Sequence, residues 1–164
     1  MKLDANQRAV VLRDAAGWIA CGFGSGLSPR APGTVGSLAA LLPWFALREL
    51  AWPWYLTAIA FAFAIGVAAC ARVAQRMRIE DPGFIVWDEF VGQWIALTPL
   101  LWMPFACWHL VAGFALFRLF DIVKPWPVSW ADRRVKGGLG IMLDDVIAGV
   151  FAAIALLAAL RIQS

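Results

Sequence analysis

The chain has 164 residues, 62% hydrophobic and 15% charged, with a formal net charge of +3 and a mean hydropathy of +0.74. Soluble domains run nearer ~45–50% apolar and ~25% charged, so an ordinary water-soluble fold is excluded and one membrane-embedded unit spanning 1–164 is expected. No nucleic-acid motif accompanies the basic excess, which fits attraction to anionic lipid instead.

In chain order, residues 15–29 (AAGWIACGFGSGLSP) come first. They are too short and too rich in Gly, Ser and Pro to span. They also lack the basic start and cleavage site of a removed signal peptide. A half-helix or re-entrant segment is expected, because irregular backbone at membrane depth must be buried or line a polar cavity. A span takes about 20 mainly apolar residues, about 17 at the short end. The charge-poor blocks predict helices over 34–48, 53–71, 85–103, 106–122 and 144–162, with Thr98-Pro99 to Pro104 turning the long block into a hairpin. The expected fold is therefore an all-α polytopic membrane helix bundle of about five hydrophobic helices plus the short N-terminal segment. With the N-terminus inside, only Arg48 and Arg161 of the 14 Lys and Arg residues fall in outer segments, which fixes the orientation. Trp52, Trp54, Trp102 and Trp108 in the outer connections are expected to form an aromatic belt.

Five acids break this apolar pattern: Asp88 and Glu89 in VWDEF, Asp121 in FRLFD, and Asp144 and Asp145 in MLDD. A carboxylate at mid-bilayer costs on the order of 3 kcal/mol or more, so such residues are normally functional and paired. In the predicted topology all five reach the cytoplasmic interface. Carboxylates packed that closely repel unless a cation neutralises them. An oxygen-only donor set points to a hard ion, Mg²⁺ by default.

Each polar motif also has a bland reading. The loop GFGSGLSPRAPGTVGS (22–37) could aim backbone N–H groups and the hydroxyls of Ser25, Thr34 and Ser37 at a phosphate, with Arg30 as a further contact, or serve close packing through small residues. It is not a P-loop, because GKS and GKT are absent. Asp88 and Glu89 suit a helix N-terminus by dipole alone. Arg118, Asp121 and Lys124 recur every three residues, as a salt-bridge ladder or as one metal ligand flanked by two phosphate contacts. Of Asp144 and Asp145, one is expected to cap a helix start, which leaves the other without a structural task.

Basic residues beside acidic metal ligands fit a phosphorylated substrate. Cys70 is followed by five residues and an arginine (CARVAQR), at the end of a predicted helix rather than in a loop, and the single histidine, His109, falls on the outer side, away from the acids. DxDx[TV] and DGxxAR are missing. A histidine nucleophile is thus excluded, and Cys70 sits in an apolar helix-forming run rather than a phosphate-binding loop, which leaves metal-assisted attack by water or by a carboxylate. A small transporter or channel with an acidic ion site is the alternative, and predicts charges at mid-membrane with repeated halves.

GFGSGLSPRAPGTVGS, VWDEF, FRLFDIVKPWP and GGLGIMLDD, within residues 15–160, resemble the signature blocks of the phosphatidylglycerophosphatase A family. The resemblance implies a magnesium-dependent enzyme of the bacterial inner membrane that converts phosphatidylglycerol phosphate to phosphatidylglycerol. On that reading Asp88, Glu89, Asp121, Asp144 and Asp145 hold Mg²⁺, with Asp88, Glu89, Asp121 and Asp145 catalytic. Arg118 and Lys124 grip the phosphate, helped by Ser25, Arg30, Thr34 and Ser37. The phospholipid substrate comes from the inner leaflet, and the active site faces the cytoplasm.

Overall fold

The computed structural model describes residues 5–103 and 106–162; Pro104, the expected end of the hairpin turn, lies outside them. The described residues are helical with no strand. Two short helices, α1 (Ala5–Val11) and α2 (Ala15–Ala20), lead into a 3₁₀ stretch (Gly22–Leu27). Then follow α3 (Pro32–Leu47), α4 (Trp52–Met77) and α5 (Trp87–Ala96), a 3₁₀ turn (Thr98–Trp102), α6 (Cys107–Val123), α7 (Val128–Arg134) and α8 (Gly137–Ile162).

The expected half-helix is present as α2 plus the 3₁₀ stretch. Asp14 starts it: its carboxylate accepts from the Gly17 N–H at 3.1 Å, and the same side chain pairs with Arg76 of α4 at 2.7 Å. Two helices, α4 and α8, are long and apolar enough to cross a bilayer. The other expected spans are shorter, at 16 residues for α3, 10 for α5 and 17 for α6. Thr98 and Pro99 end α5 early, so the span predicted over 85–103 is a buried ten-residue helix followed by a tight turn. A second correction concerns α8. It begins at Gly137, so Asp144 and Asp145 lie two turns inside the helix and neither caps it. The GGLG run looked like a loop because glycine is a poor helix former. Here its smallness matters more, since a Cβ at Gly138 would sit 2.0 Å from the Val67 carbonyl oxygen of α4.

Helix α5 is the core of the bundle, touching α3, α4, α6 and α8. Trp87, Phe90, Val91, Gly92, Gln93, Trp94 and Ala96 are all buried. Its indoles are bonded outward: Trp87 Nε1 donates to the Ala62 carbonyl of α4 at 2.9 Å, and Trp94 Nε1 to the Ala40 carbonyl of α3 at 2.8 Å. Replacing Trp94 with Phe removes that bond together with part of a buried ring that contacts Trp87 and Phe90. It is expected to lower stability by about 1 kcal/mol, read as a lower thermal midpoint in detergent. An unchanged midpoint would show that the bond does not hold α5 in place.

Candidate active site

Two glycines set the geometry of the acidic cluster. A Cβ added to Gly149 would lie 2.5 Å from the Gly92 carbonyl oxygen, and one added to Gly92 would lie 2.8 Å from the Asp145 carbonyl oxygen. Helices α5 and α8 therefore cross backbone to backbone, as small residues allow. Asp88 precedes Gly92 by four residues, and Asp145 precedes Gly149 by four. Residues four apart share a helix face, so the crossing that joins the glycines also joins the acids one turn away. Carboxylate oxygens of Asp88, Glu89 and Asp145 lie within 4.8 Å of one another.

The N-terminal loop braces the start of α5. The Val86 N–H donates to the Ala20 carbonyl at 2.9 Å. A Cβ at Gly26 would meet the Phe84 carbonyl oxygen at 2.1 Å, and one at Gly33 would meet Glu89 Oε1 at 2.2 Å. The Gly-rich loop thus packs on the segment bearing Asp88 and Glu89. Ser25 donates back to the Gly22 carbonyl and Ser37 to the Gly33 carbonyl.

Two cations compensate the acids from different sides. Arg118 of α6 pairs with Asp121 at 2.8 Å and reaches Glu89 at 3.8 Å; its Nη1 is also 3.3 Å from the Ser37 hydroxyl. Lys124 ends α6 in a left-handed conformation, φ 47°. That turn takes it away from Arg118 and Asp121 towards α7 and α8, where it pairs with Asp132 and, at 2.7 Å, with Asp144. Burial works against its charge, but the hydrogen bonds to these carboxylates outweigh it and raise its pKa above the ordinary lysine value. Lys124 is therefore protonated throughout the physiological range.

These groups wall a cavity of about 190 Å³. Asp88, Glu89, Asp121, Lys124, Asp144 and Asp145 all line it, as the sequence led one to expect. Ser25, Arg30, Thr34, Ser37 and Arg118 are not on its wall. Four charged lining residues were not among the expected site residues: Glu80 and Asp81 before α5, Asp132 in α7 and Lys136 before α8. Their only signal was charge next to the motifs, which a topology-setting loop would show equally well. The donor set suits a hard divalent cation. It is all oxygen, and Glu89 Oε2 and Asp145 Oδ2 are buried without a hydrogen-bond partner among the described residues.

A family model described as Phosphatidylglycerophosphatase A matches residues 18–160. Phosphatidylglycerophosphatase A of Escherichia coli (strain K12) is 50% identical over 136 residues, covering 82% of this chain and 77% of that protein. The Haemophilus influenzae protein of the same name is 44% identical over 142 residues, 85% of each chain. No solved structure matches. An all-helical chain with two bilayer-length apolar helices and such relatives is a membrane-associated phosphatase. More particularly, the chain belongs to the phosphatidylglycerophosphatase A family.

Proposed function

We propose that this chain hydrolyses phosphatidylglycerol phosphate to phosphatidylglycerol and inorganic phosphate at the acidic cavity, with Mg²⁺ held among its carboxylates. The observation that carries the reading is the convergence of Asp88, Glu89 and Asp145 in a chain of this family. Family membership leaves the transporter alternative without support.

Asp88, Glu89 and Asp145 would hold the ion, with Asp121 and Asp144 on the adjoining wall. When bound, the ion supplies charge neutralisation and Lewis-acid polarisation of a phosphate oxygen. Lys124 meets the terminal phosphate as a point charge from the cavity wall. Arg118 lies off that wall, where its ion pairs fix Glu89 and Asp121 in position. A carboxylate of the cluster takes the proton of the attacking water, and the phosphate–glycerol oxygen leaves with a proton as the alcohol.

The chain sits in the bacterial inner membrane as a multi-pass bundle, with the cavity facing the cytoplasm. Supporting this, bulky apolar side chains point outward on several helices: Leu42 on α3, Phe61 on α4, Val111 on α6 and Ile154 on α8 are each more than 60% exposed. Trp52 and Trp102 are both exposed and meet with ring centroids 6.1 Å apart, which suits an outer aromatic belt. In that bundle α3, α4, α6 and α8 pack around the short α5.

Purified protein in detergent should release phosphate from phosphatidylglycerol phosphate with magnesium, stop on chelation, and resume when magnesium is restored. Release that persists through chelation overturns the metal assignment; no release with magnesium overturns the reaction.

A further inference from the structure

We propose that the corner between α6 and α7 is a docking surface for anionic phospholipid of the adjacent leaflet, and the side from which a headgroup enters the acidic cavity. The proposal rests on the phosphatase reading above and adds the route by which substrate arrives.

At this corner the molecule exposes side chains that water disfavours. Ile122 is 69% exposed, Val123 64%, Trp126 79% and Trp130 51%. They occur within nine residues, and contiguous apolar surface of this kind marks an interaction site. Helix α7 is amphipathic in support of it. Val128 is fully buried in a cluster with Phe117, Ala148 and Ala152, and Ala131 is fully buried as well, which turns Trp130 and the exposed Arg133 and Arg134 outward. Tryptophan beside arginine is the composition of a surface that meets headgroups and acyl chains together.

The charges favour lipid over a second copy of this chain. A symmetric self-contact would gather two copies of Arg133 and Arg134 into one interface, whereas an anionic leaflet attracts them. The corner also adjoins the cavity. Lys124 lies between Val123 and Trp126 in sequence and lines the cavity, as does Asp132 of α7. Acyl chains resting on Ile122, Val123 and Trp126 therefore leave the headgroup level with Lys124.

The test compares two substrates. In mixed micelles, Trp126→Ala/Trp130→Ala should raise the KM for phosphatidylglycerol phosphate, expressed as mole fraction, about tenfold. The kcat should stay within about twofold, and turnover of a water-soluble dihexanoyl analogue should be unchanged. An unchanged KM, or equal loss on the soluble analogue, overturns the proposal. Should the alanine pair fail to fold, Trp126→Phe/Trp130→Phe and Arg133→Gln/Arg134→Gln carry the test. Brominated phosphatidylglycerol in vesicles should quench wild-type emission by a larger fraction than that of the Phe pair, and the Gln pair should bind anionic vesicles more weakly. Equal quenching and equal binding overturn it. So does a dimer in solution that the Trp126 and Trp130 replacements dissociate. If wild type turns over neither substrate, the phosphatase reading fails, while quenching still reports on docking.

Discussion

Asp145→Asn leaves the bundle folded and lowers magnesium-dependent phosphate release by at least about a hundredfold. Replacing groups that merely orient metal ligands costs ~10–100-fold, and a carboxylate in the proposed ligand cluster belongs at or beyond the upper end. Asp145 is 3% exposed, its Oδ2 has no hydrogen-bond partner among the described residues, and Asp88 and Glu89 stand beside it. Removing one charge from such a cluster relieves repulsion, so without metal the thermal midpoint should hold or rise. Magnesium should stabilise the variant less than wild type. A variant that keeps wild-type turnover would place the reaction elsewhere.

Gly149→Val is expected to damage stability and chemistry together. Its Cβ would meet the Gly92 carbonyl oxygen at 2.5 Å, and backbone atoms cannot rotate aside as a flexible side chain could. Overpacking of this kind costs about 1–3 kcal/mol. The helices can relieve it only by separating, which draws Asp145 away from Asp88. A displacement of about 1 Å at a reacting centre can cost ~10²-fold in rate. Thermal unfolding and phosphate release measured on the same detergent preparation should both fall. A variant as stable and active as wild type would mean that the crossing does not set the cluster.

Much of this site was legible because acids are expensive in an apolar chain and stand out against it. Asp88, Glu89, Asp121, Asp144 and Asp145, from three helices, were expected at one end of the bundle, and all line one cavity. Boundaries were less legible where glycine stood for two opposite things. The GGLG run suggested a loop but lies within α8, where closeness to α4 outweighs poor propensity. The glycines of 22–37 suggested a phosphate cradle, yet several press against residues 84–90 and Glu89. Lys124 was placed on one face with Arg118 and Asp121, but the left-handed residue that ends α6 turns it towards α7 and α8. The four-residue offset between acid and glycine, in both α5 and α8, was visible in the sequence. It acquires meaning only once the two helices are known to cross.

The brevity of α5 bears on how the protein is made. Ten residues rise about 15 Å, half the ~30 Å of a hydrocarbon core, and the first turn carries two acids. Such a segment cannot partition into a bilayer unaided, whereas α4 before it can. Its shelter is completed by α8, which the ribosome delivers some 40 residues later. In a chain inserted as proposed, α5 would therefore depend on the arrival of α8 as much as on its own hydrophobicity.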